Sequence, residues 1–165
     1  IYEILSVLHD VSDEVECFRF RRKNHMWEKW IRYGGIYPDY ENRLFRAKKG
    51  RWFDRKVHSN IRVDGVYNIL ESHIIHYGMP SISKQVKNLD RYTNYEAQQY
   101  FEEGQKPSWI KEFIYPIGFF FYRYFYLKGF LDGWHGIFLA LYASFYYHLS
   151  RAKLRELYHL KNSCE

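Results

Sequence analysis

The sequence predicts an α/β chain in two parts, a strand- and loop-rich stretch over residues 1–78 and a helical stretch over residues 79–165. Three observations predict it. The run VECFRFR, Val15 to Arg21, alternates apolar and polar residues with period 2, as a strand with one buried face does. Gly78 and Pro80 then punctuate the chain. Beyond them apolar residues recur at helical spacing almost to the end.

Ahead of the first strand, Asp10, Asp13 and Glu14 form an acidic knot that reads as a solvated turn. Val15 and Cys17 lie on one face of that strand. A second extended segment is expected near Asn42–Ala47, where Leu44 and Phe45 stand between Arg43 and Arg46. Lys48, Lys49 and Gly50 would turn it back into Arg51–Phe53, making a hairpin. Ile61–Val63 and Ile69–Ile75 add two β-branched runs, with Asp64 and Gly65 as the turn between them. His73 and His76 fall at the second run. On a strand they point to opposite faces as structural histidines, whereas a helix would bring them together as candidate metal ligands.

After Pro80, Ser81 or Ser83 can cap a helix whose apolar positions include Ile82, Val86, Leu89, Tyr92, Ala97 and Tyr100, ending at Gly104. Pro107 and Ser108 open a second helix, with Trp109, Phe113, Ile117, Phe120 and Phe121 on one side and a kink at Pro116. Lys128 to Gly133 is the next break. A third helix runs from about Asp132 to about Leu160 and turns basic at Arg151, Lys153 and Arg155.

With 47% hydrophobic and 27% charged residues, the chain is neither disordered nor polytopic. Aromatic residues make up 21%, enough to build a core, a stacking surface or a membrane interface. The formal charge of +6 favours anionic partners. Cys17 and Cys164 are far apart and lack metal-ligand spacing, which fits a reducing compartment better than a disulfide or zinc scaffold. No secretory signal pattern is readable, and an opening on Ile1 and Tyr2 leads us to expect a piece of a longer protein. Phe113–Leu127 contains Pro116 and Arg123, and Phe130–Leu149 contains Asp132, His135 and His148. Such polar interruptions argue against spanning helices and for a helical hairpin lying in an interface. An aromatic-rich helical core is the alternative.

The chain carries no GxSxG elbow, Walker loop, dinucleotide GxGxxG or HExxH. Tyr37-Pro38-Asp39-Tyr40, Asn42-Arg43-Leu44-Phe45-Arg46 and Val57-His58-Ser59 place a carboxylate, an arginine and a histidine at successive strand ends. Asp39 can deprotonate a hydroxyl and Arg43 can neutralise a diphosphate leaving group. His58 can hold a phosphate oxygen or a divalent metal. The same residue types also occur together in ordinary surface loops.

The order of several segments is more specific. RYGGIYPDYENRLFRAKKG, KVHSNIRVDG, HIIHYGMPSISKQVKNLDRYTNYEAQQYFEEG and YLKGFLDGWHGIFLALYASFYYHLSRAK together resemble the C-terminal half of bacterial family 2 glycosyltransferases of the lipopolysaccharide-core type, over about Phe18 to Leu157. The resemblance implies the C-terminal part of a GT-A fold followed by a helical, membrane-associating tail. It implies sugar transfer, usually inverting, from a nucleotide-sugar donor with a divalent metal, Mg or Mn, to a lipid-linked or lipopolysaccharide acceptor. Asp39 and Arg43 then take catalytic roles and His58 a metal role, at the cytoplasmic face of the bacterial inner membrane. Where the family commonly has Glu after Val-His, this chain has Ser59. The family's donor-binding half and Asp-x-Asp motif are not found, since Asp10-Val11-Ser12-Asp13 has the wrong spacing. A fragment inactive by itself is therefore expected. In the tail, Arg151, Lys153, Arg155 and Lys161 would meet anionic headgroups while Phe138, Leu141, Phe145 and Leu149 face apolar material. The rival readings are an inactive scaffold and a nucleic-acid-binding module using Arg19, Arg21, Arg22, Lys23, Lys48, Lys49 and Arg51; no nucleic-acid partner is expected of the transferase.

Overall fold

The structure is a computed structural model that describes residues 2–9, 14–46, 48, 50–52, 61–63 and 65–163. In chain order it runs α1 (Tyr2–His9), β1 (Val15–Met26), β2 (Lys29–Trp30), β3 (Asp39–Phe45), β4 (Gly50–Trp52), β5 (Ile61–Val63), β6 (Val66–Met79), α2 (Ile82–Glu102), α3 (Tyr115–Phe121) and α4 (Trp134–Ser163). This is the mixed α/β class expected, with every described strand ahead of α2.

β1 reaches five residues past the alternating run, to Met26, and is the centre of the sheet. It pairs antiparallel with β3 and β2, and parallel with β6. One face begins apolar, where Phe18, Phe20, Val15 and Leu70 are buried under Ile4 and Val7 of α1. Burial of this kind contributes ~1.5–3 kcal/mol for each large apolar side chain. α1 has no separate signal in the sequence, and besides Ile4 and Val7 one carboxylate anchors it. Glu3 accepts from the backbone N–H groups of Glu71 at 2.6 Å and Ser72 at 2.9 Å. These donors lie where the β1–β6 register slips between Arg19↔Ile69 and Arg21↔His73, so Glu3 occupies donors the ladder has dropped.

Among the described residues the expected hairpin from Asn42–Ala47 into Arg51–Phe53 is not seen, and Ala47, Lys49 and Phe53 lie outside them. β3 instead pairs with β1 from Phe18↔Leu44 to Arg22↔Asp39, and β4 pairs with β5. Leu44 thereby reaches the Phe18–Phe20 core, which a local hairpin would not have given it. The Ile69–Ile75 run is the middle of a 14-residue strand. His73 and His76 take the strand arrangement: His73 Nε2 meets Tyr37 Oη at 3.0 Å, while His76 borders a cleft on the other face.

Ser81 caps α2 by accepting from the Lys84 N–H at 3.2 Å. Leu89, Thr93 and Ala97 form its buried stripe, and α4 packs along it. The polar seam is pinned. Glu96 accepts from Tyr100 Oη at 2.6 Å and Tyr146 Oη at 2.7 Å, and Lys153 Nζ donates to Asp90 Oδ1 at 2.8 Å and Thr93 Oγ1 at 2.9 Å. Burial, and then the bond to Glu96, push both tyrosine hydroxyls far above their ordinary range. Arg151 is buried over the Tyr100 ring, 3.8 Å from its centroid, and Arg155 Nη2 pairs with Glu112 at 2.6 Å. Helix packing thus engages Arg151, Lys153 and Arg155, the cations expected at headgroups, while the Arg155 side chain stays 49% exposed.

The expected second helix runs unbroken from Ile110 to Tyr126 through three contiguous segments. α3 is flanked by π-helical segments Ile110–Ile114 and Tyr122–Tyr126, and Pro116 stands in its first turn. Proline there lacks the N–H that would serve the Glu112 carbonyl, and His148 Nδ1 meets that carbonyl at 2.7 Å instead. A short 3₁₀ turn, Gly129–Asp132, then leads into α4.

Asp132 ties the helices to the sheet. It is 3% exposed, and its Oδ2 accepts from the backbone N–H groups of Arg32 at 3.0 Å and Tyr33 at 2.8 Å. The Gly34 N–H donates to the Leu127 carbonyl at 2.9 Å. Met26, Ile31 and Leu139 form the apolar cluster beneath this junction. No described helix is long and apolar enough to cross a membrane.

Candidate active site

A cleft of about 570 Å³ opens where β1 and β6 end and α2 begins. In parallel sheets the carboxyl ends of the strands are where ligands bind, because the loops there converge without a covering helix. β1 supplies Arg22 and Asn24 to it, β3 supplies Asp39, and β6 supplies His76. Gln85, Asn88 and Tyr92 of α2 form the opposite wall, and Ile31, Gly35 and Ile36 form the floor held by Asp132. A wider recess of about 780 Å³ on α4 is lined by Glu112, Lys153, Arg155 and neighbours. Its Lys153 and Arg155 pair with Asp90 and Glu112, so that recess is a product of helix packing.

Asp39 is the best-anchored acid of the cleft. Its Oδ2 accepts from Arg22 Nε at 2.8 Å and Asn24 Nδ2 at 2.7 Å, and Arg22 Nη2 lies 2.7 Å away. None of these contacts involves Oδ1. The Arg22↔Asp39 pairing explains the geometry, since cross-strand neighbours share a face. Arg22 also pairs through Nη1 with Glu41 at 2.7 Å, and Glu41 lies 3.6 Å from Arg43. Arg43 thus reaches Asp39 only through Glu41 and Arg22. It stands outside the cleft, at the register irregularity of β3, with its side chain 55% exposed.

His76 faces the same charges. Partial burial and then Arg22 push its imidazole below the ordinary histidine range, against the opposing pull of Glu41 and Asp39. A Cβ on Gly78 would collide with its ring, so glycine there is what lets the ring lie over the strand end.

Of the residues expected from the sequence, Asp39 lines the cleft, Arg43 lies two ion pairs beyond it through Glu41, and His58 lies outside the described residues, as do Val57, Ser59, Asp10 and Asp13. Arg22, Asn24, Glu41 and His76 were not singled out for this site. Their signal is nonlocal: only the β1–β3 and β1–β6 registers show that Arg22, Asp39 and His76 share a face. Among the described residues no three His, Cys, Asp or Glu side chains converge as a metal site.

No protein-family model matches the chain, and no solved structure matches it. The chain is similar to the lipopolysaccharide core biosynthesis glycosyltransferase LpsC of Rhizobium meliloti (strain 1021), with 28% identity over 165 residues. That match covers 96% of this chain and 60% of the relative, so the chain spans about 60% of the relative's length. The similarity supports a glycosyltransferase relationship.

Proposed function

We propose that the chain is the acceptor-side part of a family 2 glycosyltransferase with a GT-A fold, and that the cleft holds the acceptor hydroxyl during inverting transfer from a nucleotide-sugar. The observation that carries this reading is Asp39, a carboxylate held through one oxygen by Arg22 and Asn24 at the carboxyl end of a parallel strand pair. In the reaction the acceptor oxygen bonds to the anomeric carbon, its proton passes to Asp39 Oδ1, and the bond to the departing nucleoside diphosphate breaks. The role of Arg22 is to fix the base; Arg43 has a charge-balancing role behind it. The divalent ion and His58 belong to this reading through the resemblance alone. The donor half would lie outside this chain, and the acceptor would be a lipid-linked or lipopolysaccharide-core saccharide at the cytoplasmic face of the inner membrane.

The reading is tested in the longest protein that contains this chain, with a panel of nucleotide-sugars and Mg or Mn. Asp39→Asn, which keeps the shape of the side chain, is expected to lower kcat about 10²–10⁴-fold, the usual range for loss of a general base. Unchanged kcat with an unchanged circular dichroism spectrum would remove Asp39 from the mechanism.

A further inference from the structure

The face of β1 opposite the cleft carries Arg19, Arg21 and Lys23, because successive strand residues alternate. Around the last two stand Trp30, Arg32, Tyr37 and His73. Lys23 Nζ lies 4.6 Å and Arg32 Cζ 4.3 Å from the centroid of the same Trp30 ring. That ring meets Tyr37 edge-on at 5.3 Å, and His73 is bonded to Tyr37 Oη and paired with Arg21 in the sheet. Arg21, Lys23 and Arg32 have no carboxylate partner among the described residues. The acid whose field reaches His73 is Glu3, and its two oxygens are taken by the backbone of Glu71 and Ser72.

Two buried donors sharpen the picture. Arg21 Nε and Trp30 Nε1 are shielded from solvent and have no hydrogen-bond partner. Both groups only donate, so what completes the site must accept hydrogen bonds, and the gathered cations require it to be an anion. Lys23 and Arg32 already occupy the Trp30 ring, which leaves it a poor platform for stacked bases. A compact dianion suits the arrangement better, since phosphoryl oxygens match guanidinium and ammonium donors.

We propose that Arg21, Lys23, Trp30 and Arg32 form a binding site for a phosphate monoester, carried by a soluble sugar phosphate or by a phosphorylated lipid headgroup. The site is on the other face of the sheet from the cleft, and the proposal is independent of Asp39.

The test uses the 165-residue chain, with glucose 6-phosphate as the soluble probe and phosphatidylcholine vesicles containing phosphatidic acid as the lipid probe. Methyl glucoside, plain phosphatidylcholine vesicles and a single-stranded oligonucleotide serve as controls. Binding is followed by titration calorimetry and by the part of the fluorescence of the five tryptophans that Trp30→Phe removes. Saturable binding of either phosphate probe, weakened about tenfold or more by Arg21→Gln and by Arg32→Gln but not by Arg43→Gln, supports the site, and the probe that binds identifies the source. Trp30→Phe keeps an aromatic ring but deletes the indole donor, so it should weaken binding while preserving the circular dichroism spectrum. Binding of neither phosphate probe, equal binding by the folded variants, or tighter and steeply salt-dependent binding of the oligonucleotide would overturn it.

Discussion

His76 sits between opposing charges, and the sign of each can be read separately. Burial and Arg22 hold its proton affinity down, while Glu41 and Asp39 pull it up. Arg22→Met should therefore return His76 toward the ~6.5 of an ordinary histidine, whereas Asp39→Asn should push it lower still. Titration of the His76 Cε1–H resonance against pH checks both directions. Identical curves in the wild type and both variants would mean that the imidazole does not face this carboxylate. The same shift fixes the sign of the stability effect. A native imidazole that loses its proton more readily than the unfolded one leaves the unfolded chain holding more protons just below ~6.5. The contribution of His76 is thus complete above that pH and is lost as the pH falls through the native value.

At the scale of elements, glycines decide how closely the 3₁₀ turn and α4 approach. Gly136 is buried in the first turn of α4, and a Cβ there would collide with the Gly129 carbonyl. Gly129 is itself confined, since its own Cβ would lie 2.8 Å from the Arg123 carbonyl oxygen. Gly136→Ala gains up to ~1 kcal/mol of helix propensity but has only backbone to displace, where overpacking costs ~1–3 kcal/mol or more. We expect net destabilisation of ~1–2 kcal/mol, measured as a lower midpoint in urea with an unchanged m-value; a more stable variant would show that the turn moves aside. This crossing follows the GFLDGWHG stretch, yet the sequence shows only a break between helices there. What is legible locally came through: the period-2 run of β1, the Ser81 cap of α2 and the helical spacing of α4. What depends on pairing did not. β3 looks like half of a hairpin until Phe18 offers Leu44 a larger apolar surface, and α1 shows no signal apart from the sheet that Glu3 and Ile4 dock on. Asp39 was legible by residue type. Arg22 was hidden in the basic run FRFRRK, because only a register distant in sequence tells which of its cations faces a carboxylate.

Across the whole molecule, charge and apolar surface are divided unevenly. Residues 106–134 expose Trp109, Phe113, Tyr115, Phe121, Phe125 and Tyr126, and the Phe121–Phe125 and Tyr122–Tyr126 rings stack in the open. Their basic residues are Lys106, Lys111, Arg123 and Lys128; their acids, Glu112 and Asp132, are buried in contacts with Arg155 and with the Arg32–Tyr33 backbone. A surface with amphipathic rings outward, cations beside them and carboxylates withdrawn suits the headgroup level of an anionic bilayer. We expect it, rather than the basic end of α4, to meet such a bilayer, since Arg151, Lys153 and Arg155 pair within the fold. Each cation near such a surface contributes only ~1 kcal/mol, so the rings must carry much of the affinity and salt should weaken it without abolishing it. We therefore expect the chain to float with phosphatidylglycerol vesicles at low salt and partly at high salt. The double variant Phe113→Ser and Phe125→Ser should lose flotation at both, because these half-exposed rings supply insertion and not core packing. Lys111→Gln with Lys128→Gln should weaken it mainly at low salt, because high salt already screens those charges, while Arg21→Gln should leave it unchanged, which separates this surface from the phosphate site on β1. A wild-type chain that stays in the pellet-free bottom fraction at low salt would sink the membrane-facing reading and leave these rings to a protein partner.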